Sequence, residues 1–273
     1  MNTQIVSRSA FSDALRAWRR DVGISQLELA MRCGSSQKHI SFLESGRSHP
    51  SRPMVASLCD ALEVPLRDRN ELLLAAGFAP KYAARDLSDP NLEAVQDAVR
   101  HLLDAQMPYP AVVFDRKHDT LWANMAAIRF QCWLYDVATP AELPEIANNV
   151  LRGLLHPEGY RSHIANWDDI TPVMLRRLRA EAIAPGDHEP AVELLKEMTS
   201  YPGVPDDWRS LGDPDYRIPM LTVDFAKDDE VFSLFSTITT LGTSFDVTLQ
   251  EIRIESFFPA DEGARSFFAK LAA

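Results

Sequence analysis

Four consecutive residues, Ser36, Gln37, Lys38 and His39, carry polar or charged side chains that can hydrogen-bond to the edges of DNA bases. A glutamine amide can make a bidentate contact to adenine, and a lysine ammonium can donate to the acceptor atoms of guanine. Arg47 follows them and can bind a phosphate through its guanidinium group. His39 is also typical of a solvated helix, and Arg47 of a charged loop, so both alternatives stay open.

These residues can read bases only if two helices hold them at the surface. Ser25 and Glu28 have the spacing of a capping box, which predicts the start of a short helix that ends before Gly34. A second helix is predicted to begin directly afterwards, at Ser35 or Ser36. Two short helices joined by a tight glycine turn are typical of a helix-turn-helix unit, whose second helix enters the major groove. The alternative is a helical hairpin that does not touch DNA.

The charge of the chain is unevenly distributed. The formal net charge is −11, but residues 1–55 hold eight Arg and Lys against four Asp and Glu, a balance of +4. The rest of the chain therefore carries −15. Such asymmetry indicates that the two parts meet different partners. The basic part can bind phosphates, while the acidic part is repelled by nucleic acid.

The N-terminal part resembles the Cro/phage-repressor (XRE-type) helix-turn-helix family. The resemblance rests on two segments, 24–30 and 35–47, and covers about Phe11 to Gly77. It implies a domain of five helices. Phe42 departs from the family pattern, because many relatives carry a polar residue at this position of the base-reading helix.

The same resemblance implies roles for particular residues. Gln26 is expected to contact a DNA phosphate, and Arg19 of the first helix is expected to pair with Glu44 at the end of the third. The side chains expected to face the bases are Gln37, Lys38 and His39, with Ser36 beside them.

The rest of the chain predicts a second domain of mixed α and β structure. A helix is predicted over about 91–105, and two strands are predicted near 111–124. After a largely helical middle, β-branched and aromatic residues predict three late strands, over 219–225, 231–240 and 248–257. This order favours an α+β domain built around an antiparallel sheet of about five strands.

The second part looks like the MmyB-like regulator ligand-binding domain. The resemblance covers about Leu92 to the end and is carried by the segments 109–116, 155–161, 166–167, 235–243 and 246–261. It implies a PAS-like fold, with a five-stranded sheet and helices covering one face. It also implies a small ligand, for which long-chain acyl groups are the candidate class. The expected division is a DNA-binding domain over 1–77, a linker over 78–90 and a ligand-binding domain over 91–273.

Aromatic side chains of the second domain could surround an apolar ligand. The candidates lie in or beside predicted strands and on the helix that follows the second strand: Phe130, Trp133, Phe232, Phe235 and Phe257. Rings of this kind line many ligand pockets. They also fill ordinary cores, and the sequence alone does not separate these two uses.

Several other classes of function lack support in the sequence. No glycine-rich phosphate loop, nucleophile elbow or paired-cysteine zinc pattern is present, and the three cysteines have no ligand spacing. His156 with Glu158, and His163 with Asp168 and Asp169, match no common metal site. No secretory signal and no apolar run long enough to span a membrane is found, which favours a cytoplasmic protein.

The sequence therefore predicts a cytoplasmic transcription regulator, and no enzyme. Its expected partners are double-stranded DNA with a palindromic operator, a small apolar or amphipathic ligand such as a fatty acid, and a second copy of the chain. No cofactor is expected besides that ligand. One alternative is a DNA-binding protein whose second domain serves only dimerisation or protein contact. Another is an enzyme with a DNA-binding appendage, which a pocket with convergent charged groups would favour.

Overall fold

The computed structural model describes residues 2–186, 188–210, 220–242 and 244–272, and describes side chains from Ala10 onward. The chain forms two compact units. The first comprises Met1–Asp86, Ile183–His188 and Thr243–Gln250, and the second comprises Leu87–Ala182, Glu189–Gly242 and Glu251–Ala273. Two short segments from the C-terminal part of the chain thus belong to the first unit. Pro219, where the first late strand is predicted to begin, lies outside the described residues.

The first unit is built from five helices: α1 (Asn2–Asp21), α2 (Gln26–Arg32), α3 (Gln37–Glu44), α4 (Arg52–Ala61) and α5 (Leu66–Ala75). This is the predicted number. Its core consists of apolar residues at helical spacing that are almost fully buried, among them Leu15, Leu29, Ile40, Leu43 and Leu58. Burial of these faces holds together α2 to α5, which have seven to ten residues each and are too short to be stable alone.

Local signals fix where α2 and α3 begin. The hydroxyl of Ser25 accepts a hydrogen bond from the backbone of Glu28 at 3.0 Å, and that of Ser36 accepts one from the backbone of His39 at 3.2 Å. Each bond satisfies a helix N–H that would otherwise lack a partner. Gly34 between the helices has a φ of +64°, a conformation that glycine adopts without steric cost.

The second unit is an α+β domain. Its helices are α6 (Glu93–Ala105), α7 (Met125–Leu134), α8 (Val150–Leu155), α9 (Trp167–Ile183), α10 (Glu189–Thr199), α11 (Val247–Glu251) and α12 (Glu262–Ala272). Two of these helices are shared with the first unit: α9 ends there with Ile183, and residues 247–250, all of α11 except Glu251, belong to it. The strands are β1 (Ala111–Phe114), β2 (Thr120–Ala123), β3 (Val223–Lys227), β4 (Glu230–Thr239) and β5 (Arg253–Pro259). They form one sheet in the order β2-β1-β5-β4-β3, and every neighbouring pair is antiparallel. The predicted class and strand number are confirmed.

The strand predicted over 248–257 is wrong in its first half. Residues Val247–Glu251 form the short helix α11, and β5 begins only at Arg253. The cause lies one residue before the helix, because the Asp246 carboxylate accepts hydrogen bonds from the backbone of Thr248 at 3.0 Å and Leu249 at 3.5 Å. An aspartate in this position caps a helix, and this local cap outweighs the strand preference of the residues that follow.

A cluster of aromatic rings forms the core beside β4. Phe232 stacks on Phe267 of α12 with 4.4 Å between the ring centroids, and Trp133 meets the same ring edge-on at 4.7 Å. Phe130 packs edge-on against Phe225 at 5.1 Å and against Phe268 at 5.3 Å. Offset and edge-to-face contacts at such distances stabilise a core beyond the area they bury.

Candidate DNA-binding surface and ligand cavity

The start of α3 presents its polar residues to solvent. Ser36, Gln37 and Lys38 are exposed, and His39 is half-buried, with its ring nitrogen Nδ1 3.0 Å from the hydroxyl of Ser35. The opposite side of the helix is held in the core by Ile40 and Leu43. The predicted base-reading residues thus share one end of one helix.

Phe42 brings two cations together on the same surface. The Lys38 ammonium lies 5.6 Å from the centre of the Phe42 ring, and the Arg47 guanidinium lies 5.8 Å from it. Both distances allow a cation–π interaction. The aromatic residue that departs from the family pattern therefore supports the two cations that are expected to meet a base and a phosphate.

A buried carboxylate ties the end of α3 to α1 and α2. Glu44 is 3% exposed, and its two oxygens receive hydrogen bonds from Arg19 Nε at 2.5 Å and from Gln26 Nε2 at 2.8 Å. Burial alone would raise the pKa of Glu44, but the hydrogen bonds from Arg19 and Gln26 lower it overall. The pairing of Arg19 with Glu44 that the family resemblance implies is present.

Gln26 and Arg47 occupy different settings. Gln26 is half-buried at the first position of α2, and its amide nitrogen is already engaged by Glu44, so its contact with a phosphate stays a prediction. Arg47 is exposed in the turn directly after α3. Its contact with DNA also stays a prediction, as do those of the residues at the start of α3.

The second unit contains an apolar cavity of about 290 Å³. Side chains from β1, β3, β4, β5, α8 and α9 line it, together with residues of the connecting segments. Five of the lining residues are aromatic: Phe114, Tyr160, Phe225, Phe235 and Phe257. A concave apolar space with a few polar groups has the character of a small-molecule site.

The predicted ligand-contacting rings divide into two groups. Phe235 and Phe257 line the cavity, whereas Phe130, Trp133 and Phe232 do not. For these three the expected position is corrected: they pack against one another and against α12 in the aromatic core, because α12 packs on β4 at Phe232. Contact of the five rings with a ligand stays a prediction.

Polar groups meet at one side of this cavity. His118 Nε2 lies 3.1 Å from Glu181 Oε2, and Arg177 Nε lies 3.7 Å from the other oxygen of the same carboxylate. Deeper inside, the Ser236 hydroxyl donates a hydrogen bond to Glu255 Oε1 at 2.6 Å. Arg177 and Glu181 each have 42% of the side chain exposed, so they stand at the solvent-facing edge of the cavity, whereas Glu255 is buried.

The two carboxylates of the cavity differ in electrostatic setting. Burial of Glu181 would raise its pKa, but the hydrogen bond from His118 and the charges of His118 and Arg177 lower it overall. The pKa of Glu255 is raised by its burial, against the smaller influence of the Ser236 hydrogen bond and of Arg177 and His118. Glu181 therefore stays ionised more readily than Glu255.

Two family models match the chain, and they match different parts of it. The model described as MmyB-like transcription regulator ligand binding domain covers residues 95–271, and the one described as helix-turn-helix domain covers residues 10–72. The chain belongs to the MmyB-like transcription regulators. The five helices thus form the DNA-binding part of this MmyB-like regulator, and the cavity lies in its ligand-binding domain.

Solved structures with some likeness to this MmyB-like regulator include the clp gene regulator ClgR from Corynebacterium glutamicum. One ClgR structure is 35% identical, covers 26% of this chain and 88% of its own, and has a TM-score of 0.23. A second is 29% identical, covers 37% of this chain and 95% of its own, with a TM-score of 0.23. An RNA-binding light-oxygen-voltage receptor is 13% identical, covers 99% of this chain and 64% of its own, and has a TM-score of 0.30. The comparison with curated proteins gave no match.

The family assignment of the regulator rests on the two family models, since TM-scores this low carry no weight. Among the described residues, no cluster of three His, Cys, Asp or Glu side chains could hold a metal ion. No helix in the described ranges is long and apolar enough to cross a membrane.

Sequence reasoning missed the polar side of the cavity. Its one usable signal was Glu255, a carboxylate inside an otherwise strand-forming run.

Proposed function

We propose that this MmyB-like regulator is a ligand-responsive repressor or activator that binds a specific operator through α3 and senses a small apolar or amphipathic molecule in its cavity. The observation that carries the proposal is the cavity itself, about 290 Å³ of mostly apolar space inside the ligand-binding domain. A domain that served only dimerisation would gain stability by filling this space with its own side chains. A fatty acyl chain is one candidate for the apolar body of the ligand.

The proposed DNA contacts are of two kinds: contacts to base edges, which recognise the sequence, and contacts to phosphates, which position the protein. Gln37, Lys38 and His39, with Ser36, would meet base edges, while Gln26 and Arg47 would bind phosphates in the manner of XRE-type repressors. The exposure of the start of α3 and the cations held by Phe42 support this division. Because one such unit reads only a few base pairs, we infer a homodimer on a palindromic operator, acting in the cytoplasm.

We also infer that the regulator is not an enzyme, although charged groups do converge in its cavity. Glu181 is paired with His118 and Arg177 at the edge, and the Ser236 hydroxyl is bonded to Glu255. Among the described residues, no third side chain is hydrogen-bonded to Glu255 to orient it as a base for that serine. The arrangement supports a site that holds a polar head group, without a cofactor.

The proposal is tested by joining three measurements on the full-length protein. Native mass spectrometry of gently purified protein identifies bound small molecules and the number of chains in the assembly. Selection from a random DNA pool then defines the operator. Titration of the identified molecule into the lipid-stripped protein is expected to change operator affinity, since a ligand acts only by binding two states unequally. A molecule that binds stoichiometrically and leaves operator affinity unchanged would refute the sensing role.

A further inference from the structure

Two acids and two bases line the cavity among the described residues, but both bases are paired with the same acid. His118 and Arg177 are both paired with the carboxylate of Glu181, with His118 Nε2 at 3.1 Å and Arg177 Nε at 3.7 Å from its oxygens. Glu255 receives a hydrogen bond on Oε1 from Ser236, and no described residue forms an ion pair with it. Among the described residues, the second carboxyl oxygen of this buried acid therefore has no hydrogen-bond or ion-pair partner, and Glu255 lines the cavity.

A buried carboxylate without a base is costly unless a cation or a hydrogen-bond donor reaches it. The surroundings of Glu255 favour a cation. Phe257 lies two residues further along β5, so its ring stands on the same face of the strand. Tyr160 also lines the cavity, and its pKa is raised by burial, by Tyr135 and by the nearby carboxyl of Glu255. Aromatic faces next to a carboxylate form a favourable environment for an organic ammonium group.

Resting on the proposed sensing function, we infer that the ligand is an apolar molecule with an ammonium head group, which pairs with the Glu255 carboxylate inside the cavity while its apolar body lies against the phenylalanine rings. The charge of Arg177 acts on Glu255 as well, but that guanidinium lies at the solvent-facing edge and is paired with Glu181. His118 is engaged by the same carboxylate.

The pairing couples ligand binding to a proton. Burial raises the pKa of Glu255, so its protonated form persists to a higher pH than that of an exposed glutamate. An ammonium head group requires the ionised form, and binding therefore releases a proton. Affinity for an amine should rise with pH through the pKa of Glu255, whereas affinity for a carboxylic acid at the same place should fall. The other polar groups that face this site are His118 before β2, Tyr160 before α9, Arg177 and Glu181 on α9, and Ser236 on β4.

The test compares three probes that share one alkyl chain: decylamine, decanol and decanoic acid. Each is titrated by calorimetry into the lipid-stripped full-length protein below its aggregation concentration. Decylamine is expected to bind about tenfold more tightly than decanol when Glu255 is ionised, and its affinity is expected to rise with pH as Glu255 loses its proton. Decanoic acid is expected to bind more weakly than decylamine.

Glu255→Gln keeps an acceptor for the Ser236 hydroxyl and removes the charge. It should weaken decylamine about tenfold, abolish the rise with pH, and leave decanol within about twofold. Retained decanol binding shows that the cavity of the variant is intact. Glu193→Gln is the matched control, since it removes the same charge from an exposed position on α10 and should change nothing.

The outcomes separate this inference from the proposed function. If decanoic acid binds most tightly, or if Glu255→Gln leaves decylamine affinity unchanged, the ammonium head group is wrong while the sensing cavity stands. If none of the three probes binds the wild-type protein, the sensing cavity fails as well.

Discussion

Arg19 of α1 and Glu44 at the end of α3 form an ion pair that is almost closed to solvent, with Nε and Oε1 2.5 Å apart and side-chain exposures of 13% and 3%. The Arg19 guanidinium also donates to the carbonyl of Ile24 at 2.8 Å, before α2 begins. The pair thus fixes the base-reading helix relative to the two helices before it. Removal of one partner leaves the other charge buried and uncompensated.

Glu44→Gln is therefore expected to lower the free energy of unfolding by about 3 kcal/mol. Glu28→Gln is the control. It breaks the Arg32–Glu28 pair, whose side chains are each 42% exposed, and an exposed pair of this kind contributes about 0.5 kcal/mol or less. Urea denaturation of both variants measures the difference, and equal losses would contradict the structural role of the buried pair.

The same pair predicts a dependence of stability on pH. The pKa of Glu44 is lower in the folded protein than its ordinary value of 4.5, so its ionised form stabilises the fold. That contribution is complete above the ordinary pKa and is lost as pH falls through the lowered pKa of the folded state. Below about pH 4.5, the stability of wild type should fall toward that of Glu44→Gln. A constant difference between the two proteins down to low pH would count against this assignment.

Arg47 is expected to bind a phosphate, and the salt dependence of DNA binding by an Arg47 variant tests this. Arg47→Ala should weaken specific and non-specific DNA binding alike and reduce the slope of log affinity against log salt by about one. Arg265→Ala is the control, since it removes an exposed cation from α12 of the other unit. Fluorescence anisotropy over a range of salt concentrations gives both slopes, and an unchanged slope would remove Arg47 from the phosphate contacts.

Gln37 and Lys38 are expected to read bases. Gln37→Ala and Lys38→Ala should each relax the preference at particular base pairs by about 1–3 kcal/mol, and Lys81→Ala, in an exposed segment after α5, should not. Selection from a random pool measures the preferences. Identical preferences in wild type and both variants would show that the start of α3 does not read sequence.

The sequence predicted those elements that depend on neighbours in the chain. The serine caps of α2 and α3 and the turn at Gly34 are local signals, and α7 follows the second strand as predicted. Asp246 was the local signal that was overlooked, and it turned half of a predicted strand into α11. A capping residue outweighs β propensity because it satisfies backbone donors directly.

The candidate ligand site was less predictable for a physical reason. His118, Glu181 and Glu255 lie far apart in the chain and meet only because β1, β5 and α9 are brought together by the sheet and its covering helices. The periodicity of apolar residues in helices and strands does not predict contacts between residues so far apart in the sequence. Core and cavity also use the same kinds of side chain. Phe232 and Leu234 share one face of β4, yet Phe232 packs against α12 while Leu234 lines the cavity.

Filling the cavity should separate sensing from DNA binding. Val173 on α9 lines the cavity and is half-buried. The substitution Val173→Trp introduces an indole ring that can occupy the space that the ligand needs. The variant should bind decanol about tenfold more weakly than wild type, while it binds operator DNA as ligand-free wild type does. Val192→Trp is the matched control, because Val192 is 50% exposed on α10 and does not line the cavity.

The readout of this last experiment is operator affinity with and without the ligand found by mass spectrometry. Val173→Trp is expected to have the same operator affinity with and without the ligand, whereas the operator affinity of Val192→Trp should change as that of wild type does. The reason is that a ligand shifts an equilibrium only by its differential binding to the two states. Thermal melting confirms that both variants are folded, and Leu154→Phe offers a smaller filling of the same space. If Val173→Trp loses ligand binding and still responds in full, the response does not pass through this cavity.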